Sequence, residues 1–326
     1  MAETEEIVST TEAEKSPSGI SHLFRRLMRE KPLGFVCAIV VVLLLLITIF
    51  ADLIAPYGYK ETHPGDQLQG PSAQYWLGTD NLGRDLFSRV VYGARISVII
   101  GLTASFVSSV ISIIIGTMSG FLGGKFDLFV QRFVDGWQAL PDLVLLMLVI
   151  GVLGPGIMQL IIALGVNGGI SGSRFVRGAV MSVKENVYFE AARATGTPTS
   201  HIIIRHVLPN IMAPLIIMFS GRVPGIVLTE ASLSFLGLGI PPPFPSWGGM
   251  LSGASRVYMM RAPGMAIWPG LALATMVFAI NMFGDAMRDL LDPRLRGGMG
   301  GLGGYAGVRR KRRGILAILG LKRVVS

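Results

Sequence analysis

The chain has 326 residues, 51% of them hydrophobic and 15% charged, with a mean hydropathy of +0.58. Soluble domains carry about 25% charged residues, so the composition excludes an ordinary water-soluble protein, and the long apolar blocks exclude disorder over most of the length. A single Cys and four scattered His exclude a disulfide framework, a cysteine-based zinc site and a clustered metal centre. The net charge of +9 reads as a membrane topology signal, not a nucleic-acid patch.

Residues 1–19 are acidic and rich in Ser and Thr, and are expected to be disordered. Arg25 to Lys31 is a short basic helix leading into the first apolar run, Phe35 to Ile54. That run is long enough to span a bilayer. No small-residue cleavage site follows it, so it reads as an uncleaved anchor. Five more spans are predicted. They are Ile96 to Gly120; Phe129 to Leu153, with Asp135, Pro141 and Asp142 inside; and Ile157 to about Val176, the weakest because Asn167-Gly168-Gly169 interrupts it. Ile211 to Leu238 carries Arg222 and Glu230, and Ala266 to about Met287 carries Asn281 and Asp285. Gly154-Pro155-Gly156 makes spans three and four a tight hairpin. Gly116 and Gly120, like Gly165, Gly169 and Ser173, recur at four-residue spacing, which lets helix backbones approach closely.

The fold class is therefore all-α: a polytopic membrane protein with six transmembrane helices. Cations set its sidedness. Lys15, Arg25, Arg26, Arg29 and Lys31 precede span one, Lys125 and Arg132 lie at the base of span three, and ten more cations follow from Arg288. With Arg174, Arg177, Lys184, Arg193 and Arg205 after span four, these far outnumber Lys60, Arg84, Arg89, Arg95, Arg256 and Arg261 on the other side. Both termini are thus expected in the cytoplasm. The division is a cytoplasmic segment 1–33, a first helix and outer loop 34–94, a five-helix domain 95–289, and a basic cytoplasmic tail 290–326. In the tail, Arg309 to Arg313 beside apolar Ile315 to Leu321 fits either adhesion to anionic membrane lipid or a plain positive stop signal.

The cytoplasmic loop 177–210 is the most informative stretch. Lys184 to Thr195 reads as a short helix ended by Gly196, and Ile202 to Leu208 as a second, with Pro209 bending the approach to span five. So short a helix pair cannot bury a core of its own and needs a partner surface. It reads Glu190-Ala191-Ala192-Arg193-Ala194-Thr195-Gly196, then Leu208-Pro209 after eleven intervening residues. This resembles the EAA loop of type I ABC importer permeases. Trp76 to Asp85, Tyr92-Gly93-Ala94-Arg95-Ile96-Ser97, Glu230 to Gly239 with Pro245-Ser246-Trp247-Gly248, and Gly284 to Asp289 narrow the resemblance. They are similar to the C-type permease of dipeptide, oligopeptide and nickel importers, over about residues 23–296. Departures are His206 at an isoleucine position and Lys31-Pro32 in the basic helix.

The resemblance implies a type I ABC importer permease fold and a subunit that works without a cofactor. It also implies two ATP-binding subunits, a second permease in a heterodimer, and an extracytoplasmic solute-binding protein. Glu190, Ala191, Ala192, Gly196, Leu208 and Pro209 would receive the motion of the ATPase: the alanines let the helix lie close in its cleft, and Glu190 offers a carboxylate. Gly196→Asp is expected to uncouple transport without removing the protein from the membrane. The chain has no phosphate-binding loop of its own, since Gly124-Lys125 is followed by Phe126 and lacks the earlier glycine. It is accordingly not expected to be an enzyme. Arg222 and Glu230, eight residues or about 12 Å apart along a helix, face the translocation path or the partner permease, or Arg222 sits near the mouth of a span bent by Pro224. The loop from Trp76 to Asp85 either meets the binding protein or locks onto its own helices. Peptides are the first cargo implied; nickel and other small solutes share this permease type. A secondary transporter or channel would need an internal repeat, and none is visible.

Overall fold

The computed structural model describes residues 20–186, 189 and 195–291. Among these there are helices and no strands, apart from an isolated bridge between Thr79 and Asp85. Helix α1 is Ile20–Glu30 and α2 is Pro32–Ile49. Pro32 sits in the first turn of α2, where its missing N–H costs nothing, so Lys31-Pro32 breaks the run and still opens the span cleanly. Leu33, Val36, Val42 and Ile49 project outward from α2, the pattern of a helix whose solvent is lipid. A short α3, Ala51–Ile54, completes the first apolar run.

Helix α4, Leu86–Leu122, has 37 residues, roughly 55 Å at the α-helical rise and longer than a hydrocarbon core of about 30 Å. It packs most extensively on α7, Ile157–Lys184. The reason lies in the small residues. Ser105, Ser108, Ser112, Gly116 and Gly120 are buried on α4, and Gly165, Gly169 and Ser173 on α7. A side chain at Gly116 would strike the Ser173 carbonyl and Val176, and one at Gly169 would strike Ile111. Ser112 Oγ donates to the Gly169 carbonyl at 2.9 Å. The four-residue spacings are thus helix-packing seams.

Between these helices come α5, Gly124–Gln138, and α6, Asp142–Leu153, which meet at 88°. Span three is therefore broken near Pro141, not continuous from Phe129. Asn167-Gly168-Gly169, by contrast, does not interrupt α7. Trp137 Nε1 donates to Asn167 Oδ1 at 2.9 Å, and the glycines sit under neighbouring helices, so packing overrides their weak helix preference.

Four helices are long and apolar enough to cross a membrane, and the α5–α6 pair gives a fifth if counted as one bent span. Helix α7 has the length but not the apolarity. Gly165, Asn167, Gly169, Gly172 and Ser173 form a buried face, so it does not need lipid-facing side chains on every side. The remaining elements are α8, Thr199–Ile202; a π-helical turn, Ile203–Val207; and α9, Leu208–Phe235. They are followed by α10, Trp247–Leu251; α11, Ala254–Tyr258; and α12, Gly264–Leu291. Helix α12 packs on α2 and α9, and Lys31 Nζ meets Asp289 Oδ2 at 2.6 Å.

Candidate functional site

Glu190, Ala191 and Ala192 lie outside the described residues; the anchors on either side of them do not. Phe189 is 1% exposed and packs edge-on against Phe121, ring centres 5.6 Å apart. Ile202 and Val207 join the same buried cluster, with Val176, Val180, Ile211 and Leu215. The loop that carries Glu190 to Gly196, the elbow, thus has its flanking residues Phe189 and Ile202 packed against α4, α7 and the start of α9. Lys184 Nζ donates to the Phe121 carbonyl at 2.8 Å, where a cation suits the carbonyl end of α4. Gly196 has φ +72°, and a side chain there would meet nothing within 4 Å. Its requirement is conformational only.

Leu208 and Pro209 begin α9 immediately after the π-helical turn. Proline lacks the N–H and crowds the carbonyl four residues back. The wider turn accommodates this: Leu208 N–H donates to the Ile203 carbonyl, five residues back. The helical run therefore continues from Thr199 to Phe235 without a break, so the residues that follow Gly196 are continuous with a span. Sequence reasoning missed Phe189 and Phe121 as anchors. No local pattern marked them, since Phe189 follows Tyr188 in a loop with several apolar residues and Phe121 lies in an apolar helix.

Arg222 and Glu230 part company. The Arg222 guanidinium enters a slot between α4 and α7 and donates to Ser108 Oγ and the Gly168 carbonyl. Gly168 and Gly172 leave room for it; a side chain at Gly172 would overlap the guanidinium. No carboxylate among the described residues pairs with it. Glu230 is 1% exposed. Its Oε1 accepts from Ser234 Oγ at 2.7 Å, and its Oε2 has no partner.

The other motifs are self-locking. Asp80 accepts from the N–H groups of Leu82 and Arg84 and from Arg84 Nε at 2.6 Å. Asp85 caps α4 by accepting from Ser88 N–H. Gly78 (φ +83°) and Gly83 (φ +73°) provide turns that side chains disfavour, and Gly83 lies against the His63 backbone. Burial, then a hydrogen bond to Asp66, push the Tyr75 phenol up to about 12. Arg95 donates to the carbonyls of Thr48 and Ile49 and pairs with Asp52 at 2.9 Å, closing the end of α2. Trp247 donates to the Val90 carbonyl at 3.0 Å over Gly93, and Gly248 lies against the Ala231 backbone. The loop from Trp76 to Asp85 and the Pro245 to Gly248 turn thus fold onto their own chain.

Residues 112–297 match the family described as the binding-protein-dependent transport system inner membrane component. Residues 21–71 match the N-terminal TM domain of oligopeptide transport permease C. The dipeptide transport system permease protein DppC of Alkalihalophilus pseudofirmus is 39% identical over 84% of this chain and 89% of its own. The glutathione transport system permease protein GsiD of Escherichia coli O6:K15:H31 is 40% identical over 85% of this chain and 91% of its own. An inward-facing structure of the MetNI methionine ABC transporter superposes with a TM-score of 0.53 at 18% identity, covering 63% of this chain and 96% of that one, a likeness of fold. The chain belongs to the binding-protein-dependent inner membrane transport components, and is a membrane permease subunit of an ABC importer.

Proposed function

We propose that this permease imports dipeptides or short oligopeptides delivered by an extracytoplasmic solute-binding protein. On this reading both termini are cytoplasmic, residues 95–289 form the transport domain, and the chain pairs with a second permease and with two ATP-binding subunits that hydrolyse the ATP. The identity to dipeptide and glutathione permeases supports the cargo class. The observation that carries the coupling role is the elbow held between Phe189 and Ile202 and continued through Pro209 into a span. A rigid-body push on Glu190 to Gly196 would pass along the unbroken helical run into α9 and, through the Phe189 contacts, into α4 and α7.

Arg222 presents its open edge to the translocation path. Glu230, enclosed by its own chain, holds the end of α9 against the Ser246 turn. The test is reconstitution of the chain with its genomic neighbours in proteoliposomes. ATP-dependent peptide uptake is expected, with cross-links from a cysteine at position 191 to the ATPase. Uptake that survives ATPase inactivation, or cross-links that never reach the ATPase, would overturn the proposal.

A further inference from the structure

We propose that the cavity between the 80–89 and 234–255 segments is a binding site for the carboxylate of a small solute. Resting on the reading above, that carboxylate is the terminal group of a short peptide in transit. The cavity has a volume of about 360 Å³, within the range of small-molecule sites, roughly 300–1,000 Å³. The charged groups lining it are Asp80, Arg84 and Arg89, so one positive charge is in excess. Asp80 is already committed: it accepts from two backbone N–H groups and from Arg84 Nε. Arg89 Nε forms an ion pair with the same carboxylate oxygen at 3.6 Å, beyond hydrogen-bond length, so one carboxylate is shared between two cations.

Arg89 is 8% exposed, and among the described residues its side chain donates one hydrogen bond, from Nη1 to the Tyr59 carbonyl at 3.1 Å. A guanidinium carries five N–H donors in a fixed fork, so Arg84 and Arg89 together hold most of theirs unspent. Burying such a cation is costly unless its donors and charge are met, and a carboxylate meets both, in a bidentate pair. Ser234, Ser246 and Ser252 bring hydroxyls to the lining. Glu230 does not oppose the charge at the cavity surface, because it lies behind Ser234 and is itself enclosed.

The experiment uses the intact assembly in nanodiscs without the solute-binding protein. Binding of alanyl-alanine, its C-terminal amide and acetate is followed by saturation-transfer NMR. Alanyl-alanine and acetate should bind, and the amide should bind at least about tenfold more weakly, the loss of a charge-assisted hydrogen bond. Arg89→Gln should weaken alanyl-alanine by about tenfold and leave the amide unchanged, with Arg89→Lys intermediate. A purely structural role for Arg89, through the Tyr59 carbonyl, would shift acid and amide alike. Arg84→Gln repeats the comparison should Arg89→Gln fail to assemble. The proposal is overturned if acid and amide bind equally, or if neither binds while Arg89→Gln weakens docking of the solute-binding protein, which would make a side chain of that protein the source of the carboxylate. Peptide uptake by the same wild-type assembly, measured in parallel, separates either failure from failure of the transport reading.

Discussion

Removing the Phe189 ring tests the elbow most directly. The side chain is almost wholly enclosed and meets Phe121 edge-on, so Phe189→Ala should cost about 3–5 kcal/mol in lost burial and residual cavity. The membrane helices do not depend on this ring. Their mutual packing runs through the serine and glycine seam of α4 and α7. The loss should therefore appear as local release of one end of the elbow, not as unfolding. At about 1.4 kcal/mol per decade, exchange of the amides from Asn186 to Phe189, read by hydrogen-exchange mass spectrometry, should quicken by a hundredfold or more. The Phe189 N–H bond to the Asn186 carbonyl, 3.0 Å long, is the direct reporter. Uptake per ATP should fall while the assembly stays intact. A double-mutant cycle with Phe121→Ala should return a coupling of about 0.5–1.5 kcal/mol, the worth of an aromatic pair beyond its area. Unchanged exchange together with wild-type uptake would refute the idea that Phe189 anchors the elbow.

Three further outcomes follow from single geometries. Gly196 occupies left-handed space with nothing near it, so Gly196→Val should cost about 1–2 kcal/mol in backbone strain and lower uptake per ATP. Gly196→Asn should be nearly silent, and any larger effect of Gly196→Asp would then come from its charge against the ATPase. Gly172→Ala would displace the Arg222 guanidinium and forfeit about 1.5–3 kcal/mol, one hydrogen bond to a charged group. It should lower the thermal midpoint in detergent, and Arg222→Met in the same background should restore it. Tyr75 titrates up to about 12, above its unfolded value near 10. The folded loop thus favours the neutral phenol, and its stability is full below pH 10 and lost as pH rises towards 12. Ultraviolet difference absorbance should show Tyr75 ionising late, and Asp66→Asn should bring it earlier.

Much of the membrane architecture was legible because lipid imposes length and apolarity on whole segments. The anchor is α2 and α3, Gly154 to Gly156 is the turn between α6 and α7, and Arg222 and Asn281 fall within α9 and α12 as read. Two features departed from the reading, for different physical reasons. The sequence around Asn167 looks like a helix breaker, yet Trp137 satisfies its amide and α4 needs its glycines small; the deciding partners lie on other helices, where local pattern carries no information. Span three turns through 88° beside Pro141, a local signal that its overall apolarity outweighed. Phe189 was equally invisible as an anchor, since burial against Phe121 joins residues far apart in the chain.

Most of the polar groups within the bundle obey one rule, and Arg222 and Glu230 depart from it. Ser105, Ser108, Ser112, Asn167 and Ser173 lie between α4 and its neighbours, where small residues bring backbones close. Ser234 and Ser246 meet in the same way between α9 and the turn before α10. These contacts fix register without charge. Glu230 departs by burying a carboxylate that accepts from Ser234 Oγ, and Arg222 departs as a cation received by a hydroxyl and a carbonyl, both neutral. Dipoles answer its hydrogen-bonding demand and leave its charge uncancelled, and an uncancelled charge within a membrane is costly to retain for packing alone. A neutral side chain of similar length would fill the same slot between Gly168 and Gly172 more cheaply. The charge, not the shape, is therefore what this position supplies, and a transport assay of Arg222→Met with normal assembly and stability would measure that charge's work in isolation.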